Sequence, residues 1–411
     1  MAEDLRARLS RIRELRRGIS GPDAARSAGE HSGSAASGTG PGLLEDSGWV
    51  PVGFMTLSRT EIRQLSVPVP RIPPRDLGIL APDFPDLFDP ASLLFFDLET
   101  TGLSGGAGTL AFLAAFGWLL KTGTAGEIGP SPAALGFSGI ALIQYLLLDY
   151  PGEGDFLEAV LGEFRNDPLA VSYNGRNFDA QILKNRWLMN GIVPPDYAHG
   201  DLLYPARRLW KGVLPDCSQG TIEREILGLS RAGDVGGAFA PEIWFNFLKD
   251  GNAGPLLKIC DHNIRDILGL ASLFACLCAV AARPREACEK YRADGERLAL
   301  LWSYAARQGK GDPELARDLL EAAAEEGYPR ACRRLAMELE WGRGDFPGAS
   351  PASPGALSGV PVQDLSWALA LTERALDRRD GNLGEGIRKD LEKRRERLLK
   401  KLGRSAGENA V

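Results

Sequence analysis

Several features are missing from this sequence, and each absence excludes something. No two cysteines are spaced CxxC, which removes the common zinc-ribbon and thioredoxin-like arrangements. The six that exist (217, 260, 276, 278, 288 and 332) read as buried free thiols, since Cys276-Leu277-Cys278 lies inside an apolar run. A reducing, cytoplasmic setting fits that usage. No run of about 18 apolar residues lacks polar interruption, so a simple integral membrane protein is not expected, and no membrane partner either. The start, MAEDLRARLSRIRELRR, has charges throughout and no apolar signal core. An excess of positive charge is missing too. Lys and Arg number 48 against 54 Asp and Glu, a net charge of −6, which argues against coating nucleic acid by bulk charge. It leaves open an enzyme built on a cluster of carboxylates.

What is abundant is glycine (49) and proline (27) in 411 residues that are still 44% hydrophobic. A wholly disordered chain is thereby excluded, and the length allows two or three domains at about 150 residues each. Residues 1–17 read as a basic amphipathic helix with Leu5, Leu9, Ile12 and Leu15 on one stripe. Residues 18–47 are Gly/Ser/Ala-rich and read as a disordered tether. Proline-rich residues 48–84 read as an extended arm. Between 85 and 285 three apolar strands come first, at 93–98, 109–120 and 139–148. Their short connections predict an antiparallel meander. A helix at 153–165, a strand at 169–173 and helices at 177–189, 201–211, 218–227, 240–249 and 255–281 follow. This order predicts an α/β fold with a mixed sheet flanked by helices. From 290 to 404 strand signals vanish and five helical segments remain, interrupted by a low-complexity insert at 346–361. ARDLLEAAAEEGYPRACRRLAMELEWGRGD there resembles a Sel1-like or tetratricopeptide hairpin.

The sharpest chemical signal is FFDLETTGL at 95–103. Residues two apart in a strand share a face, so Asp97 and Glu99 project together. Two such carboxylates in a dry site call for a hard divalent cation, although a polar strand end gives the same letters. NGRNFD at 174–179 follows a strand and opens a helix, which points Asp179 back toward the strand ends or makes it a first-turn acid. HNIRD at 262–266 lies within the long helix. Asp266 falls among Ile259, Leu270 and Leu273, where a carboxylate must be paired or bound to metal. His262 is one turn earlier on the same face; it is either part of that site or a satisfied core histidine. Gly105-Gly106-Ala107-Gly108 lacks the Lys-Ser/Thr ending of a phosphate loop and reads as a hairpin turn.

With DLETTGL, NGRNFD and HNIRD in this order and in these contexts, the sequence resembles the DEDD family of 3′–5′ exonucleases, which have the ribonuclease H-like fold. Within it, GWVPVG at 48–53, DLETTGLSGGAGTLAFL at 97–113, HGDLLYPARRLWKGVLPDCS at 199–218 and HNIRDILGL at 262–270 resemble the YprB-like group. The resemblance implies that Asp97, Glu99, Asp179 and Asp266 bind two Mg²⁺ or Mn²⁺ ions. One ion would activate a water and the other would stabilise the leaving oxygen. It implies His262 as the base, although His here stands four residues before the last Asp. Members of that family carry either His five residues before it or Tyr four before it. Asp261 has the five-residue spacing. Thr100, Thr101, Gly102 and Leu103 would contact the 3′-terminal nucleotide, and Asn174 would orient Asp179 or a phosphate. Asp201 is a further acid or a helix N-cap. Arg207, Arg208 and Lys211 form a basic face that is either solvated or in contact with the nucleic-acid backbone.

The implied activity is a metal-dependent 3′–5′ exonuclease on single-stranded DNA or RNA ends. A nucleic-acid-binding or scaffold protein with little turnover is the alternative from another class, and an endonuclease of RNA–DNA hybrids shares the fold. The NxxxFD and HxxxD motifs favour the exonuclease. A protein partner is expected for the helical region, and further nucleic-acid contact for the basic ends. Residues 1–17 hold six basic and three acidic side chains, and 388–404 hold nine and three.

Overall fold

The apolar run that ends in Asp97 lies inside a seven-stranded mixed sheet. The structure is a computed structural model that describes residues 42–102, 108–121, 136–231, 233–341, 362–377 and 384–408. The chain divides into two compact units. Of the described residues, the first holds those up to 73 and those within 87–203 and 218–276; the second holds 74–86, 204–217 and those from 277 onward.

The first unit contains strands β1 (Val50–Gly53), β2 (Thr56–Val69), β3 (Leu93–Thr100), β4 (Ala111–Lys121), β5 (Phe137–Leu147), β6 (Leu169–Ser172) and β7 (Ala198–Asp201). Their order is β1-β2-β5-β4-β3-β6-β7. From β1 to β3 all neighbours are antiparallel, which includes the expected meander of β3, β4 and β5. β6 joins β3 in parallel and β7 joins β6 in parallel. The helices are α1 (Gly42–Asp46), α2 (Glu153–Leu161), α3 (Asp179–Met189), α4 (Gln219–Glu225), α5 (Ala240–Asp250) and α6 (Ala253–Ala282).

β3 is apolar on both faces because both faces are covered. Phe96 turns one way, onto Phe116 at 6.3 Å and Phe164 at 5.9 Å between ring centroids. Phe95 turns the other way, onto Phe274 of α6 at 6.1 Å. Asp97 and Glu99 share the parity of Phe95, so they face α6 as well. α6 is long and apolar enough to cross a membrane, yet 78% of its most apolar window is buried inside the protein. It is a core helix that interrupts its apolar surface with Asp261, His262, Asn263, Arg265 and Asp266.

Four expectations need correction. The tether was expected to reach residue 47, but 42–46 form a helical turn and Leu44 is 2% exposed. The Leu43-Leu44 pair supplies the apolar surface that the Gly/Ser stretch before it lacks. Residues 48–84 are not an arm: β1 and β2 are sheet strands, and β2 pairs β5 from Thr56 to Val69. Pro51 is tolerated on the edge strand β1, and Pro68 falls where the β2 register shifts. Residues 74–86 belong with the second unit. The helix expected from 201 starts at 203, after β7. AHGD carries no apolar alternation, so its strand comes from pairing with β6, not from propensity.

All six cysteines are free thiols, and 260, 276, 278 and 332 are buried. The expected helix at 1–17, residues 18–41 of the tether, part of the glycine loop (103–107) and the insert at 346–361 lie outside the described residues.

In the second unit, helices α7 (Gly295–Arg307), α8 (Pro313–Glu325), α9 (Pro329–Trp341), α10 (Val362–Asp377) and α11 (Glu385–Glu408) pack each on the next. Part of the basic charge of α11 is used internally. Glu340 of α9, fully buried, receives Arg394 at 2.5 Å, Arg397 at 3.3 Å and Lys401 at 3.2 Å.

Candidate metal centre

Four carboxylates from three separated segments come together over the β3 end. Asp97 and Glu99 leave β3 on one face. Asp179 is the first residue of α3. Asp266 projects from α6, one turn after His262. Glu99, His262 and Asp266 each offer one ligand atom, all within 4.8 Å of one another. His262 Nε2 lies 3.3 Å from Asp266 Oδ2 and 3.9 Å from Glu99 Oε1.

The remaining two carboxylates belong to the same electrostatic unit. Burial raises the Asp97 carboxyl well above its ordinary range, and the charges of Asp266, Asp179 and Glu99 add to the rise. Burial raises Glu99 in the same way, with Asp266, Asp179 and Asp234 contributing. Asp179 is pushed up to about 7, by burial first and then by Asp201 and Asp266. Burial also raises Asp266, and His262 and Arg231 oppose the rise. Carboxylates that raise one another must either stay protonated or receive a cation.

Asp97 and the loop before Asp179 are held by different devices. Asn263 is fully buried and donates from Nδ2 to Asp97 Oδ2 at 2.7 Å. Its Oδ1 accepts from Gln144 Nε2 at 3.1 Å, and Gln144 Oε1 accepts from Arg59 Nη2 at 2.9 Å. Asp201, 1% exposed, holds the NGRNFD loop. Its Oδ1 accepts from the backbone N–H of Asn174 at 2.7 Å and of Leu203 at 3.0 Å, and its Oδ2 accepts from Arg176 N–H at 3.2 Å. Gly175 is required there, because a Cβ would stand 2.4 Å from Ser172 Oγ and 3.0 Å from Asp179 Oδ2.

Two residues between α4 and α5, Arg231 and Asp234, reach the centre. Arg231 donates to Asp266 Oδ1 and makes two bonds to Glu223, from Nε at 2.5 Å and from Nη2 at 2.9 Å. Asp234 Oδ2 accepts from His262 Nδ1 at 2.8 Å. A carboxylate only accepts, so Nδ1 carries a hydrogen, and Nε2 faces Glu99 and Asp266. Burial pushes the Asp234 carboxyl up, but the bond and charge of His262, with Arg231 and Arg265, bring it below its ordinary value. Arg231, Asp234, Glu223, Asn263 and Gln144 had no assigned role in the sequence reading. Polar residues at single loop, helix and strand positions carry no periodic signal, and only the HNIRD string hinted at Asn263.

The expected binding residues divide. Thr100 Oγ1 donates to Gly102 O at 3.0 Å, and Thr101 exchanges bonds with Leu110, N–H to O at 2.9 Å and N to Oγ1 at 3.1 Å. These two threonines shape the turn after Glu99. Leu103 lies outside the described residues. Asn174 is exposed with φ +63°, a conformation Asn tolerates, and its backbone N–H rests on Asp201. Arg208 belongs to the second unit and is half-buried. Its Nη1 donates to Leu80 O at 2.6 Å, so it caps a helical turn within its own unit. Arg207, also there, is exposed, and Arg297 reaches its carbonyl. Asp261 is 61% exposed and pairs with Arg59 at 3.3 Å, away from the cluster.

Residues 94–278 match the model of the RNase_H_2 family, described as RNase_H superfamily. Over 186 residues the chain is 36% identical to the uncharacterized protein YprB of Bacillus subtilis (strain 168), covering 44% of this chain and 41% of that protein. The chain thus spans less than half of that relative's length. A family B DNA polymerase from the hyperthermophilic archaeon Pyrobaculum calidifontis is 12% identical, with 64% of this chain and 35% of the polymerase covered and a TM-score of 0.32. The sheet order, the helix laid across it and the matched family model give residues 94–278 a ribonuclease H-like fold.

Proposed function

We propose that this domain is a divalent-metal-dependent 3′–5′ exonuclease acting on single-stranded nucleic-acid ends. One observation carries the reading: four carboxylates face one centre, raise one another's affinity for protons, and have few cations among them. Oxygen donors gathered at that charge fit Mg²⁺ or Mn²⁺. Asp97, Glu99, Asp179 and Asp266 are the residues that would hold two such ions. When bound, the ions would supply an activated water and neutralise charge on the leaving oxygen. His262 would take the proton at Nε2, with Asp234 bonded to the other ring nitrogen in support of that role. Asn263 holds Asp97 on one side and Asp201 holds the loop before Asp179 on the other. The helical region after residue 290, in this reading, is a Sel1-like or tetratricopeptide-like module for a protein partner.

The test is incubation of the purified chain with 5′-labelled single-stranded DNA and RNA in Mg²⁺ or Mn²⁺. A ladder shortening from the 3′ end, absent in Asp97→Ala, is the expected result. Binding without cleavage in every metal would replace the exonuclease with a nucleic-acid-binding role, and internal cuts in an RNA–DNA hybrid would replace it with an endonuclease.

A further inference from the structure

We propose that Arg231 is a positioning residue that makes Asp266 a one-oxygen metal ligand, an inference that rests on the metal-centre reading above. The two oxygens of Asp266 have different partners. Oδ1 accepts from Arg231 Nη2, and Oδ2 faces His262 Nε2 at 3.3 Å, on the side of Glu99. A guanidinium on one oxygen leaves the other for a cation and prevents the carboxylate from rotating to offer both. Outer partners of this kind orient a ligand and tune its basicity.

Arg231 could instead be a plug, a cation that occupies Asp266 and leaves when metal arrives. Three features oppose that. Its charge is already matched by Glu223, which takes two of its N–H groups at 2.5 and 2.9 Å and is 3% exposed. Glu223 is itself fixed. Gln219 Nε2 donates to Glu223 Oε1 at 2.9 Å and to the Asp266 carbonyl at 2.8 Å, tying α4 to the turn of α6 that carries Asp266. Gly269 then leaves room for Glu223 against α6, since a Cβ there would meet Glu223 Oε1 at 1.7 Å. The guanidinium is therefore held by the fold whether or not an ion is present. Displacing it would strand a buried glutamate.

The experiment is calorimetric titration of Mn²⁺ into the metal-free full-length chain, with thermal melting as a check on folding. Arg231→Ala should weaken Mn²⁺ binding by about 10- to 100-fold, as loss of an outer partner does elsewhere. Millimolar methylguanidinium should restore part of the affinity in that variant. Arg231→Lys keeps the charge but cannot span Glu223 and Asp266 in one plane, so it should recover little. Glu223→Gln should weaken binding in the same direction, and it serves in place of Arg231→Ala if that variant fails to fold. Unchanged or tighter binding in a folded Arg231→Ala or Glu223→Gln protein overturns the positioning role and leaves the metal centre standing. No Mn²⁺ binding by the wild-type chain overturns both.

Discussion

Without metal, the protein should become less stable as pH rises from about 5 to 8, and Mn²⁺ should remove most of that loss. Asp179 has a folded-state pKa of about 7, against an ordinary value of 3.8. Between these two values the folded state binds more protons than the unfolded state. Stability therefore falls with rising pH across that window, and the loss is complete above the folded pKa. A rise of about 3 units corresponds to about 4 kcal/mol. About 2 of those units fall between pH 5 and pH 8, or about 3 kcal/mol, which for a unit of 150–250 residues is a fall of roughly 6–12 °C in melting temperature. Asp97 and Glu99 are raised too and act in the same direction. Asp234 is lowered, so its effect lies below the ordinary carboxylate range and outside the window. A divalent cation binds the deprotonated carboxylates and reverses the effect. The assay is tryptophan-fluorescence melting in EDTA and in Mn²⁺ at pH 5 and pH 8, for wild type and Asp179→Asn. The neutral variant should melt higher than wild type at pH 8 in EDTA and respond less to Mn²⁺. A wild-type melting temperature that stays flat or rises with pH in EDTA refutes the reasoning, as does an equal slope in Asp179→Asn.

Three further outcomes are expected. Asp234→Asn removes the anion behind His262 and should lower kcat by about 10- to 100-fold with KM little changed, read by steady-state cleavage of a labelled oligonucleotide. Arg208→Ala should cost about 1–3 kcal/mol in urea unfolding, because the carbonyl of Leu80 loses its donor, and it should leave oligonucleotide affinity unchanged. Glu340→Ala strands Arg394 inside the helical region and should cost about 3–5 kcal/mol; a cost below 1 kcal/mol would mean that the guanidinium finds water.

The legible parts of the sequence were those with a period. Alternation placed Asp97 and Glu99 on one face, and helical spacing placed His262 and Asp266 on one face. The apolar runs located β3, β4 and β5. What escaped was structure made by pairing. β7 is four residues, AHGD, that become a strand because β6 offers them a partner. β1 and β2 were obscured by prolines at positions where a sheet tolerates them. Arg207 and Arg208 read as a surface for phosphate because a helix wheel shows charge but not the carbonyls within reach. Arg208 is bonded to such carbonyls.

The loop from 226 to 239 was the least legible segment, and it decides how the centre is charged. On the Asp266 side stand Arg231 and His262, each backed by its own carboxylate, Glu223 and Asp234. On the Asp97 and Asp179 side stand a neutral amide, Asn263, and a further acid, Asp201. Arg231 and His262 therefore offset burial at Asp266, whereas at Asp179 a neighbouring anion adds to it. No neighbouring cation offsets the rise at Asp97, Glu99 or Asp179. Arg231 and Asp234 orient groups that are already neutralised in pairs, and the uncompensated carboxylates opposite them supply the drive to take up a cation.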